Sequence, residues 1–189
     1  MKKMIIVLTG LSGSGKTTLS KEICKHLNFN RSVLFTTRPI RPGEIDGEDY
    51  VFLNDKEYNK LLKSGKITCH EEFIVASGDT WKYGISKEDL NDNVIIAGTP
   101  KIVKQLKNEY DNVADIMICM SNDDERLKRI YNRKDNQSKA EILRRDKDDK
   151  ETYLKYIPEA VVFNDNKIID SICEITRIIT SLQLKQLMI

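Results

Sequence analysis

Eight residues near the chain start, GLSGSGKT at 10 to 17, match the pattern G-x-x-x-x-G-K-[ST] at every fixed position. Such a run grips a polyphosphate. The glycines Gly10, Gly13 and Gly15 let the main chain wrap an anion, and the intervening Leu11, Ser12 and Ser14 offer backbone N–H groups to it. Lys16 reaches the β- and γ-phosphates, the Thr17 hydroxyl holds Mg²⁺, and Thr18 shares the helix start that faces the anion. A second charged cluster follows in TTRPIRPGEIDGEDY, 36 to 50. Arg38 and Arg41 are planar, always-charged forks suited to bidentate capture of a near-dianionic phosphomonoester. Tyr50 and Tyr83 add hydroxyl donors, and Glu44 orients an arginine rather than touching substrate. Thr36 and Thr37 fit either a role there or plain strand positions.

Elements must hold these two clusters tip to tip. MIIVL at 4 to 8 reads as a strand buried on both faces, running straight into the glycine loop. Residues 16 to 27 read as a helix with Leu19, Ile23 and Leu27 on one face. The segment 32 to 53 reads as extended and turn-rich, then a short helix KEYNKLLK with Asp55 as N-cap and Gly65 as its stop. Strands are expected at 94 to 97, 114 to 120 and 160 to 163, with Pro100 opening the helix KIVKQLKNEY. Two charged helices are expected at 121 to 133 and 139 to 156. The last segment, 166 to 184, carries an isoleucine-rich stripe that suits a helix covering a sheet face better than a membrane or partner helix. Alternating strands and helices imply a doubly wound α/β fold with a parallel sheet.

The bulk numbers agree. A chain of 189 residues suits one domain, 1 to 189. Lys plus Arg total 31 against 29 for Asp plus Glu, a balance that argues against nucleic acid or a membrane surface as partner. Cys24, Cys69, Cys119 and Cys173 are widely spaced, as expected of reduced thiols in a cytoplasmic protein. The apolar start is too short for a signal peptide, and no later segment is apolar enough to span a bilayer.

The segment TTRPIRPGEIDGEDY resembles the acceptor-binding segment of the guanylate kinase family, T-T-R-x-x-R-x-G-E-x-x-G-x-D-Y. Tyr83-Gly84 resembles the family's Y-G, Arg129, Arg133 and Arg144 stand at its lid spacing, and Phe163-Asn164-Asp165 resembles the strand end on its adenine side. The resemblance spans nearly the whole chain. It implies a P-loop NTPase-type three-layer α/β/α fold, with core 1 to 31, 93 to 122 and 157 to 189, an NMP-binding insert 32 to 92 and a helical lid 123 to 156. The activity it implies is ATP-dependent phosphorylation of a nucleoside monophosphate, GMP or dGMP, by a monomer or homodimer acting on small-molecule nucleotides. Lys16, Arg38, Arg133 and Arg144 would compensate charge at the migrating group, while Arg129 and Asn164 would help bind ATP. No base is required, because the acceptor oxygen is already anionic.

The resemblance breaks at the base and metal positions. Where the family reads guanine with a hydroxyl, a glutamate and a hydroxyl, this chain has Leu34, Cys69 and Ile85. Glu72, beside His70 and Glu71, could take over the reading, and Trp81 could stack on a base or simply pack. Where the family carries a D-x-D-like pair, AGTP at 97 to 100 offers only the Thr99 hydroxyl. Two other readings therefore stand: a kinase with a changed acceptor, another (deoxy)nucleotide or a ribose bisphosphate, and a non-catalytic guanylate-kinase-like binding module. The intact Lys16, Thr17 and lid arginines argue against the module.

Overall fold

The fold was analysed in a computed structural model that describes residues 3–132 and 139–187. Two sheets share the work. The larger is fully parallel, ordered β2 (Asn30–Arg31), β7 (Val94–Ala97), β1 (Ile5–Thr9), β8 (Val113–Cys119) and β9 (Ala160–Phe163). β1 is central, and all five of its residues are buried. Its alternation splits the core. Ile6 and Leu8 face a cluster with Leu19 and Ile23 of α1 (Lys16–His26) and Ile172 and Ile175 of α6 (Ile168–Leu187). Ile5 and Val7 face a second cluster that includes Ile102 and Leu106 of α3 (Pro100–Glu109). Helices on both faces of a parallel sheet make the expected α/β/α layering.

α6 is the sheet cover its stripe suggested: Ile172, Ile175 and Ile179 are buried, while Ile168 and Ile169, at its start, are exposed. No described helix is long and apolar enough to cross a membrane.

The smaller sheet projects from the core and is mixed, ordered β4 (Val51–Phe52), β3 (Phe35–Thr36), β6 (Thr80–Ser86) and β5 (Ile67–Ile74). β3 and β4 run parallel, whereas β6 is antiparallel to both β3 and β5. The expected turn-rich stretch supplies only four strand residues here, two each from β3 and β4, and the long β5–β6 hairpin supplies the rest. That hairpin has no strong sequence signal because charged residues interrupt its apolar alternation. Gly84 lies where α2 (Asp55–Lys63) crosses β6: a Cβ there would come within 2.6 Å of the Tyr58 hydroxyl and 2.5 Å of an Ile67 methyl.

One expected cap moves. Asn54, not Asp55, caps α2. Its Oδ1 accepts the Glu57 N–H at 2.9 Å, and Glu57 returns a carboxylate to the Asn54 N–H at 3.0 Å. Asn54 keeps extended backbone and has a glutamate three residues on, the reciprocal capping box, whereas Asp55 is already helical. The two charged helices are α4 (Asp123–Tyr131) and α5 (Lys139–Tyr153).

Candidate active site

β1 delivers the chain to the phosphate loop at the carboxyl edge of the parallel sheet. Gly10 has φ +133°, and a Cβ there would sit 2.1 Å from the Ile118 carbonyl oxygen of β8. The loop can enter only with no side chain at that point. Lys16 Nζ donates to the carbonyls of Gly10 (2.7 Å) and Leu11 (3.0 Å), so the ammonium lies over the loop rather than out in solvent. Ser14 Oγ is buried and has no hydrogen-bond partner among the described residues. Thr17, in the first turn of α1, is exposed.

Behind the loop, Asn164 follows the end of β9. Its amide donates to the Ser14 carbonyl at 2.9 Å and its Oδ1 accepts from Ser171 Oγ at 3.1 Å. Arg129 Nη2 lies 3.4 Å from the Asn164 carbonyl. Gly13, Gly15, Thr18, Arg129, Asn164 and Ile168 line a recess of about 400 Å³ on this side. Arg129 and Asn164, the two residues expected to help bind ATP outside the loop, therefore meet the loop there.

A larger cavity of about 410 Å³ lies on the other side of the loop. Ser12 and Lys16 line it from the loop, and Arg38, Arg41, Tyr50 and Tyr83 from the small sheet. Arg38 is 3% exposed. Its two Nη atoms bond the two oxygens of Glu44 at 2.7 and 2.5 Å, in fork-to-fork geometry. Glu44 Oε2 also accepts the Arg41 N–H at 2.9 Å, so one carboxylate ties both arginines. The Arg38 guanidinium stacks 4.8 Å from the Tyr50 ring centroid and 5.2 Å from that of Phe52. Burial alone would raise the Glu44 carboxyl, but bonds from Arg38 and the Arg41 N–H overcome it and hold the group below the usual carboxylate range.

At the far end of this cavity two adjacent carboxylates differ in burial. Glu72 lines the cavity but is exposed, whereas Glu71 is 5% exposed and lines it too. Thr99 Oγ1 donates to Glu71 Oε2 at 2.6 Å and accepts the Ile102 N–H at 3.3 Å. Burial pushes the Glu71 carboxyl up, with Thr99 and then Lys101 opposing. Leu34, Cys69 and Ile85, expected at the family's base-reading positions, are all buried in the cluster with Ile102 and Val103, and Leu34 also lines the cavity. Ile67, Cys69 and Glu71 share the inward face of β5. That period-two spacing is the sequence signal for Glu71 over Glu72. Trp81 stands opposite Phe73 in the hairpin and lines the cavity. His70 is held through its main chain, which exchanges two hydrogen bonds with the Gln105 side chain.

Helix α5 lines the cavity on its remaining side, and α4 packs beside the loop. Arg126 of α4, 1% exposed, donates from Nη1 to the Ser12 carbonyl at 2.8 Å and pairs with Asp123 and Asp146. Arg144 lines the cavity, but its guanidinium is tied to its own helix, to Glu141 at 2.9 and 2.8 Å and to Asp148 at 2.5 Å. Its neighbour Arg145 reaches across to Ser12 Oγ at 3.2 Å. Glu141 also accepts the Ala76 N–H at 2.8 Å, which joins α5 to the tip of the β5–β6 hairpin. Arg133 lies outside the described residues. Glu71, Arg126, Arg145, Asp149 and Tyr153 meet the cavity or the loop without any motif having signalled them.

Among the described residues there is no group of three or more His, Cys, Asp or Glu side chains able to hold a metal. The exposed Thr17 hydroxyl at the start of α1 would be compatible with Mg²⁺ bound mainly to nucleotide phosphates and waters.

Comparison with known proteins agrees with this geometry. The sequence pattern of the family described as guanylate kinase matches residues 2–182. The guanylate kinase of Mycoplasma mycoides subsp. mycoides SC is 30% identical over 183 residues, covering 95% of this chain and 61% of that protein. The guanylate kinase of Syntrophus aciditrophicus is 31% identical over 166 residues, covering 85% of this chain and 78% of the relative. The chain thus spans less than two thirds of the length of the Mycoplasma relative. The crystal structure of guanylate kinase from Anaplasma phagocytophilum superposes with a TM-score of 0.68 at 23% identity, over 97% of this chain and 86% of that one, and so shares the fold. The chain belongs to the guanylate kinase family.

Proposed function

We propose that this chain transfers the γ-phosphoryl group of ATP to GMP or dGMP, yielding ADP and GDP or dGDP. The observation that carries the reading is one cavity lined by the phosphate loop, the Arg38–Glu44 clamp and the buried Glu71. An acceptor phosphate oxygen attacks the γ-phosphorus, that P–O bond forms, and the bond to the β–γ bridging oxygen breaks, leaving its electron pair on ADP. Lys16 and Arg145 lie beside the loop where the migrating group passes, and Arg38 and Arg41 hold the acceptor phosphate. Mg²⁺ held at Thr17 would neutralise charge on the β- and γ-oxygens. With both substrates aligned and water excluded, positioning and charge compensation supply the catalysis.

Glu71 is the base reader in this proposal. A carboxylate matches two neighbouring N–H donors on the purine edge, and its buried setting makes an unmatched base costly. In this reading residues 32 to 92 form the acceptor insert and 123 to 156 the lid, with Arg129 and Asn164 on the adenine side. The four separate cysteines, all unbridged, are in keeping with a cytoplasmic setting, and the reading takes the chain as a monomer or homodimer.

The test is a coupled assay of ADP formation with GMP, dGMP, AMP, CMP, UMP and ribose 1,5-bisphosphate. Turnover confined to GMP and dGMP supports the proposal. Turnover with the sugar bisphosphate alone points to a changed acceptor, and none with any acceptor points to a binding module.

A further inference from the structure

Three residues of α5, Arg145, Asp149 and Tyr153, fall on one helix stripe at i, i+4 and i+8, and all three meet the phosphate loop. Arg145 Nη2 reaches Ser12 Oγ at 3.2 Å. Asp149 Oδ2 accepts the Ser12 N–H at 3.0 Å. The Tyr153 hydroxyl accepts the Gly10 N–H at 2.7 Å. With Arg126 on the Ser12 carbonyl, both main-chain polar groups of Ser12 are engaged by side chains of α4 and α5.

A main-chain N–H has one proton. A carboxylate and a phosphate accept it in the same direction and carry charge of the same sign, so the two cannot share it. Resting on the ATP reading above, we propose that Asp149 sets donor affinity by competing with the terminal phosphate of ATP for the Ser12 N–H. The neighbouring Asp148 makes a built-in contrast: it carries the same charge but pairs with Arg144 Nη1 and is 56% exposed. The phosphate must displace the Asp149 carboxylate, by side-chain rotation or by withdrawal of α5. ATP affinity is therefore lowered in proportion to how fully that carboxylate holds the amide. The same contact draws the lid onto the loop, so donor entry and lid position are coupled through a single hydrogen bond.

The test measures the ATP dissociation constant by titration calorimetry on the full chain, with Asp149→Asn, Asp149→Ala and Asp148→Asn. Both Asp149 variants should bind ATP about 5- to 20-fold more tightly. Adenosine, which has no phosphate to compete, should bind all forms within about two-fold, as should ATP to Asp148→Asn. Unchanged or weaker ATP binding by the Asp149 variants overturns the proposal. Equal tightening by Asp148→Asn overturns it in favour of general charge, and equal tightening of adenosine in favour of a loosened pocket. Tight ATP binding with no difference between forms sinks this inference alone, whereas no ATP binding by any form sinks the donor reading with it. Amide hydrogen exchange without nucleotide is the second measurement. The Ser12 N–H should exchange about 10-fold faster in Asp149→Ala, and equal exchange overturns the contact.

Discussion

In the proposed reading, the two walls of the cavity that would face phosphate are built on opposite principles. The loop at 10 to 15 would bind with main chain, and its side chains mostly stay out of the way. The clamp at 38 to 50 would bind with side chains, and its backbone only carries them. A main-chain nest is preorganised by local conformation, so glycine spacing largely specifies it. A guanidinium clamp must be held in place by other groups. Arg38 is fixed by a bidentate carboxylate and two aromatic rings. Damage to the loop should therefore abolish chemistry, and damage to the clamp should cost stability and acceptor affinity together.

The largest effect belongs to the loop. Lys16→Ala should lower kcat by about 10³-fold while leaving the melting temperature nearly unchanged, because its charge acts on the migrating group. Steady-state kinetics alongside calorimetric melting checks both halves, and a comparable stability loss would erase the contrast.

Next comes the clamp. Arg38→Ala leaves a partly buried Glu44 without its partner and should cost about 3 kcal/mol of stability, with a raised acceptor KM. The double variant Arg38→Met with Glu44→Leu should recover much of the stability and none of the acceptor affinity. Recovery of both would show that Arg38 is structural only.

Acid sharpens the difference within the cavity. Glu44 is held below the usual carboxylate range, with burial opposed and outweighed by Arg38, so its contribution is present above the unfolded pKa and is lost as pH falls through the folded one. Glu71 is raised by burial, so the sign reverses: its ionised form costs stability at neutral pH, and the cost fades as pH falls through its folded pKa. Glu71→Gln should thus melt above wild type at pH 7, lose that advantage in acid, and raise the GMP KM by about 10²-fold. Melting curves across pH together with GMP titration check the three parts.

The smallest effect tests the packing that replaced the family's base readers. Burial pushes the Cys69 and Cys24 thiols up to about 11, whereas Cys173 is exposed. Iodoacetamide at pH 7.5 should label Cys173 first and leave Cys69 unlabelled, as read by peptide mass spectrometry.

How much of this was legible beforehand differs by element. The phosphate loop, the central strands and the isoleucine stripe of α6 follow from local spacing, because periodicity and glycine geometry act over a few residues. That Glu44 orients an arginine was also legible, since it shares one turn-rich segment with Arg38 and Arg41, but the structure assigns the carboxylate to the Arg38 guanidinium. The β5–β6 hairpin was not, because its strands are specified by pairing with β3 and by packing on α3 more than by their own alternation. Arg144 and Arg145 are adjacent and chemically equal in sequence. Only the placement of α5 gives one to Glu141 and Asp148 and the other to Ser12.

By itself the chain of residues determined that a polyphosphate loop follows a buried strand and that two arginines stand ready for a second phosphate. Both are short-range facts, each encoded within one contiguous motif, residues 10 to 17 and residues 36 to 50. Tertiary structure decided that the face of β5 carrying Glu71 lines the cavity beside Thr99 and which side chains of α4 and α5 reach the loop. Those choices depend on how β5, α3 and α5 come together across long sequence separations, where one helix step or one strand position turns a side chain from solvent into the site.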